Sequence, residues 1–203
     1  MRNHYLGWCG PAAAVLFGAA VIGFASLRHD GYTHATKAVS ELGAMGAENA
    51  LTFNVLGFIV PGILVILLAI TCGRAFSSGF GAFCLVVSGA ALTASGLLPA
   101  DMAHRNGQAT VLHGMAAVVS GLAFAIAVFP LGSAMRKTPG FTRLGQWTPW
   151  FVLFLLANIG WQIAWKSTGN PFFYPGWGQR IAFAGYFLWM TLAGLALTRP
   201  RPA

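Results

Sequence analysis

Charge is absent from this chain over six long intervals. Arg2 and Arg28 enclose 25 residues without Asp, Glu, Lys or Arg, and Glu48 and Arg74 enclose another 25. Arg74 to Asp101 encloses 26, Arg105 to Arg136 encloses 30, Arg143 to Lys166 encloses 22, and Arg180 to Arg199 encloses 18. A helix that crosses a bilayer needs about 20 predominantly apolar residues. Within lipid, every backbone N–H and C=O must be satisfied by the chain itself, which a helix achieves locally. The intervals predict helices near 5–27, 52–73, 80–98, 110–133, 147–165 and 180–198. The expected fold is all-α: a polytopic integral membrane protein, one domain over 1–203, with six transmembrane helices in an antiparallel bundle.

The composition agrees. Only 8% of residues are charged and 57% are hydrophobic, with mean hydropathy +0.68. A soluble domain carries about 25% charged residues, so this chain cannot cover a water-facing surface. The first apolar run follows Arg2 as a secretory signal would, but it is long and no small-x-small cleavage site follows it. It is read as the first spanning helix.

Six spans put both termini on one side. That side holds Arg2, Arg74, Arg136, Lys137, Arg143, Arg199 and Arg201, seven cations and no acid. The other holds five cations (Arg28, Lys37, Arg105, Lys166 and Arg180) and all four acids: Asp30, Glu41, Glu48 and Asp101. The more basic side is expected to be cytoplasmic, with both termini inside a cell (inner) membrane. The formal net charge of +8 then reflects topology and anionic inner-leaflet lipid, so membrane lipid is the expected partner and nucleic acid is not. Cys9, Cys72 and Cys84 all fall near predicted cytoplasmic helix ends, where a disulfide is not expected. Nothing in the sequence sets an oligomeric state.

Two outer segments are longer than connection requires. In residues 28–51, Ala35, Val39 and Leu42 have helical spacing and Lys37 and Glu41 form an i,i+4 pair, so a short surface helix is expected. Residues 166–179, KSTGNPFFYPGWGQ, are rich in Pro and Gly and are expected to be an aromatic loop over the bundle mouth. Trp147 and Trp150 at one end of the fifth helix, and Trp161 and Trp165 at the other, read as an interfacial belt. Small residues at Ala19, Gly23, Gly114 and Gly121 are expected to bring helices close together.

Polar chemistry concentrates on the outer side. In GLLPADMAHRNGQATVLHGM (residues 96–115), Asp101 ends the third helix and His113 enters the fourth. Ser40, Asn54, Asn158, Gln162 and Asn170 fall at or near the same level. Polar groups at membrane depth usually face the bundle interior and often mark function. His113 is the sharpest candidate. An unpaired imidazole at the edge of hydrocarbon is costly, so a partner is expected, with Asp101, Glu41 or Ser40 the candidates. His104 reads more simply as a solvated turn residue, and Asp101 as a helix-end cap. The candidate catalytic set is His113, Asp101, Ser40 and Glu41. The candidate ligand-binding set is Asn54, His104, Asn158, Gln162, Arg180 and Trp177.

His and Asp are suitable donors for an open zinc site, but Asp-x2-His-x8-His is no ligand motif. A nine-residue gap puts the two histidines on opposite faces of a helix. No metal or other cofactor is therefore expected.

Residues 38–64, AVSELGAMGAENALTFNVLGFIVPGIL, carry Ser-Glu-Leu-Gly, then Gly-Ala-x-Asn, then Phe-Asn and a glycine-containing helix. This resembles the start of a prokaryotic six-helix membrane family, domain of unknown function 998. LLPAD followed by His113 resembles that family's second marked region. More distantly, the pattern is similar to the eukaryotic Frag1, DRAM and Sfk1 group, which includes a Golgi protein needed for lipid remodelling of GPI anchors. That likeness implies lipid handling at an outer mouth and points to Ser40, Glu41, Asn54, Asp101 and His113. Alkaline ceramidases are similar only in residue types, and this chain has no His-x3-His pair.

The leading expectation is thus a lipid-associated membrane protein with an outward-facing polar pocket. One rival is a lipid hydrolase or acyltransferase, with His113 as general base, Asp101 orienting it, and Ser40 or water attacking. Another is a small transporter in which Glu41, Asp101 and His113 relay protons.

Overall fold

A computed structural model describes residues 4–168 and 175–199. Arg2, Asn170, Arg201 and the Pro171–Tyr174 part of the aromatic loop lie outside the described residues. Six long helices are present among those described, with no strand. A 3-10 turn, His4–Trp8, leads into α1 (Cys9–Ser26). Then follow α2 (Ala50–Phe76), α3 (Gly79–Leu97), α4 (Gln108–Arg136), α5 (Thr142–Ser167) and α6 (Pro175–Thr198). Consecutive helices are neighbours, and α6 closes the ring onto α1. All but α5 are long and apolar enough to cross a membrane. At 26 residues α5 is roughly 39 Å long, but Trp147, Trp150, Asn158, Trp161, Gln162 and Trp165 dilute its apolar character.

The packing is that of a lipid-solvated bundle. Val15, Ile22, Val118, Leu122, Phe129, Leu156 and Ile163 point outward and are exposed. The interior holds small residues, aromatics and a few hydroxyls, including Ser88 and Thr148. Without a hydrophobic drive between helices in lipid, close backbone approach and interhelical hydrogen bonds hold such a bundle together. The approach is closest between α1 and α6, where a Cβ added at Gly10 would collide with the Met190 carbonyl oxygen; α2 and α3 also meet closely, with a Cβ at Gly89 2.7 Å from the Gly62 carbonyl oxygen. The small residues singled out from sequence do not serve this purpose. Cβ atoms at Gly23, Gly114 and Gly121 would meet nothing within 4 Å, and Ala19 is exposed, so no neighbouring helix approaches closely at these glycines.

Two departures from the expected pattern have local causes. In α2, residues Asn54–Ile59 form a π-helical segment, and the Val60 N–H reaches back to Val55 O. Pro61 follows; it has no N–H for the Gly57 carbonyl and its ring would crowd that oxygen. Widening the preceding turn relieves the conflict. The second departure is the start of α6. The Pro/Gly composition of residues 166–179 argued against regular helix there, yet α5 runs to Ser167 and α6 begins at Pro175. Proline is suited to a helix's first positions. The glycines are there for space: a Cβ at Gly176 would collide with the carbonyls of His34, Ala35 and Lys37, and one at Gly178 with Gln162.

The expected surface helix in the first loop is a single 3-10 turn, Val39–Gly43, closed by Glu41 itself. Its carboxylate accepts the Ala38 N–H at 3.1 Å and pairs with Lys37 at 3.5 Å.

Candidate functional site

The fold gathers its polar side chains at one end of the bundle and just beneath that end. The deeper group surrounds His113, in the second turn of α4. Its Nδ1 lies 3.0 Å from Ser95 O and 2.9 Å from Leu98 O, at the C-terminal end of α3. The sequence explains why a carbonyl is waiting there. In an α-helix Ser95 O would accept the N–H of residue 99, but that residue is Pro99. His113 fills the vacancy and is 7% exposed. The partner expected for it was Asp101, Glu41 or Ser40; it is instead this pair of backbone carbonyls. Carbonyls only accept, so the ring proton facing them is on Nδ1.

Phe58, carried by the π-helical segment, packs edge-on against His113 with ring centroids 6.1 Å apart. Gly96 of α3 permits this, because a Cβ there would lie 2.9 Å from Asn54 O and 3.0 Å from Phe58 Cβ. His113 and Phe58 help to line a cavity of about 180 Å³ between α4 and α6. Its polar wall consists of Ser95, His113, Ser120, Gln179 and Tyr186. Ala117 and Gly121 of α4 also line it, and both are exposed, so it opens sideways between helices. Ser88, Ser120 and Tyr186 are joined behind it: Ser88 Oγ donates to Ser120 O at 2.8 Å and lies 3.0 Å from Tyr186 Oη. Ser88, Ser95, Ser120 and Tyr186 were missed from sequence, where single hydroxyls in apolar runs look like ordinary helix residues. Their spacing gives no signal, since the three serines and the tyrosine come from three helices.

The second group is the loop over this end. Arg180, at the start of α6, reaches across to the first loop. Its Nε donates to His34 Nδ1 at 3.1 Å, its Nη1 to Lys37 O and Gly176 O, both at 2.9 Å, and its Nη2 to Tyr32 Oη. Tyr32 lies between two guanidinium groups, 5.6 Å from Arg28 and 5.8 Å from Arg180, and its hydroxyl donates to Ala38 O. Burial pushes its phenol above the ordinary value. Burial first, and the Arg180 charge second, hold His34 below the usual histidine range. Arg28 is tied to Asp30 and donates to Glu41 O at 3.1 Å. Gln179, next to Arg180, accepts the Val39 N–H. It therefore joins the loop to the cavity wall. Of this clasp, sequence reasoning singled out Arg180 as a ligand-binding candidate and missed Arg28, Tyr32 and His34.

The remaining candidates have local partners. Asp101 accepts the Ala103 N–H at 2.9 Å, the His104 N–H at 3.2 Å and His104 Nδ1 at 2.9 Å. The contact with His104 is the main cause holding its carboxyl below the ordinary value. Thr110 staples the same turn, donating to Asp101 O at 2.7 Å. The first loop meets this turn where Met45 N donates to Ala100 O at 2.8 Å. Ser40 is buried in the 3-10 turn. Asn54 Nδ2 donates to Gly43 O and Asn158 Nδ2 to Gly178 O, both at 2.8 Å, and each leaves its amide oxygen buried without a partner. Gln162 packs on Gly178, and Trp177 is 48% exposed on the first turn of α6. The structure thus brings His113 to a cavity, leaves Asp101 and Glu41 in local caps, and assigns Asn54 and Asn158 to helix–backbone ties. Among the described residues no group of three His, Cys, Asp or Glu side chains comes together as a metal-ligand set.

No curated protein and no solved structure matches the chain. The family model described as "Protein of unknown function (DUF998)" matches residues 12–196, which include the loop, the cavity and all six helices in nearly their full length, and the chain belongs to that family.

Proposed function

We propose that this protein binds a membrane lipid in the cavity between α4 and α6, beneath the loop that Arg180 anchors. The observation that carries this reading is the cavity's position and lining. Apolar walls surround a small polar cluster at His113, and the exposed Ala117 and Gly121 leave a lateral opening where acyl chains would lie. An engineered cavity of about 150 Å³ holds one benzene. At about 180 Å³ this cavity takes the headgroup end of a lipid, with the chains outside between the helices. The distant likeness to the Frag1, DRAM and Sfk1 group points in the same direction.

The test is lipid carried through purification, read by native mass spectrometry. A Cβ at Gly121 would meet no neighbour, so Gly121→Val narrows the opening without disturbing packing. Wild type should retain lipid and Gly121→Val should lose it. Retention by both would refute the reading.

The hydrolase and transporter alternatives have less support. Asp101 and Glu41 are engaged by neighbours in their own loops, and neither contacts His113. For orientation we propose that the His113 end faces away from the cytoplasm of an inner membrane, on the seven-to-five cation bias. Cysteines introduced at Thr33 and Asn106 should then react with an impermeant label from outside, and one at Ser78 should not.

A further inference from the structure

The protons in the cavity can be followed one by one. His113 Nδ1 faces two carbonyls, so the neutral ring keeps its proton there and Nε2 is a bare acceptor. The Ser95 hydroxyl donates to Ala91 O at 3.1 Å. Ser88 spends its single proton on Ser120 O, so its 3.0 Å contact with Tyr186 must be donated by the tyrosine. Its 3.5 Å contact with Ser120 Oγ can be donated only by Ser120. The protons of Ser88, Ser95 and Tyr186 are therefore directed at protein acceptors at ordinary distances, and that of Ser120 has the long 3.5 Å contact with Ser88 Oγ. What remains for an occupant is lone pairs: His113 Nε2, Ser95 Oγ and Tyr186 Oη. The exception is Gln179, toward the loop. Its Oε1 takes the Val39 N–H, so its remaining polar atom, Nε2, is a donor.

Resting on the lipid-binding reading above, we infer that the ligand is a neutral lipid alcohol whose hydroxyl donates to His113 Nε2. A phosphate or carboxylate would meet acceptors with no cation in the wall. An ester carbonyl would find few donors. An ammonium would be desolvated with no counter-charge lining the cavity. A hydroxyl satisfies the site, since it donates to the imidazole and can accept from the Gln179 amide. The long chains of a diacylglycerol-like molecule would leave through the gap beside Ala117 and Gly121.

The experiment compares 1,2-dioleoylglycerol with its 3-O-methyl ether, titrated into the full chain in detergent micelles and followed by native mass spectrometry. The ether keeps the chains and the oxygen count but replaces the one hydroxyl proton with a methyl group. Leaving a buried acceptor unpaired should weaken its binding on the order of tenfold. His113→Phe keeps a ring against Phe58 and should abolish the preference. Because that variant also deprives Ser95 O of its partner, it is repeated in a Pro99→Ala background, where the restored N–H four residues after Ser95 can replace the lost donor, and the preference should be absent there too. Equal binding of alcohol and ether, both lost in Gly121→Val, would overturn the donor assignment and keep the cavity as the lipid site. Binding of either lipid that is indifferent to Gly121→Val would overturn both readings.

Discussion

Replacing His113 by Ala removes the ring N–H that faces the Ser95 carbonyl in place of the one Pro99 lacks. The carbonyl lies at the end of a helix on a buried residue, 2% exposed, where an unsatisfied acceptor costs about 1–3 kcal/mol. For a chain of this size, each kcal/mol corresponds to roughly 2–4 °C in Tm. His113→Ala should therefore lower the midpoint by about 2–12 °C, measured by thermal unfolding in detergent. His104 offers the contrast: its side chain is 78% exposed, so water replaces what is lost and His104→Ala should be nearly silent. The decisive variant is Pro99→Ala. It restores an N–H four residues after Ser95, so the carbonyl no longer depends on the imidazole. In that background His113→Ala should cost less than it does alone, by at least about 0.5 kcal/mol, a coupling typical of residues sharing one partner. If the two changes are additive, or if His113→Ala is as silent as His104→Ala, the capping argument is wrong.

The loop clasp should loosen in acid. Arg180 Nε donates to His34 Nδ1, which requires a neutral imidazole. With its folded value below the ordinary 6.5, His34 contributes stability that is present above pH 6.5 and lost as pH falls through the depressed value. Hydrogen exchange of residues 32–43 should accelerate as the pH is taken from 7.5 towards 5, relative to α3, and His34→Asn should flatten that response. Asp101 behaves likewise in a lower window. Its carboxyl sits below 3.8, so the cap it forms on Ala103 and His104 persists above that pH and is lost below it. Asp101→Asn should abolish that acid transition in exchange of the 101–104 amides. Gly176→Ala puts a methyl into three loop carbonyls. It should destabilise by about 1–3 kcal/mol, with the loop the first segment to gain exchange, and an unchanged loop would contradict the packing described.

Much of the architecture follows from local sequence alone. Six charge-free intervals imply six helices because lipid penalises any backbone group left unpaired, whatever the tertiary arrangement. The ends of those intervals also locate the polar level at which His113, Asn54 and Asn158 sit. Even the vacancy that His113 fills is written locally, in a proline four residues after Ser95, and so is the reason for the π-helical turn before Pro61. What the sequence does not contain is the identity of partners. Whether His113 meets a carboxylate or a carbonyl depends on how α4 is rotated against α3, and sequence spacing does not encode that angle. The cavity is assembled from α2 to α6, with its hydroxyl protons directed by contacts between residues as far apart as Ser88 and Tyr186. Gly114 and Gly121 looked like packing residues because small side chains allow close approach; only the placement of neighbouring helices decides whether a helix approaches or a gap opens to lipid.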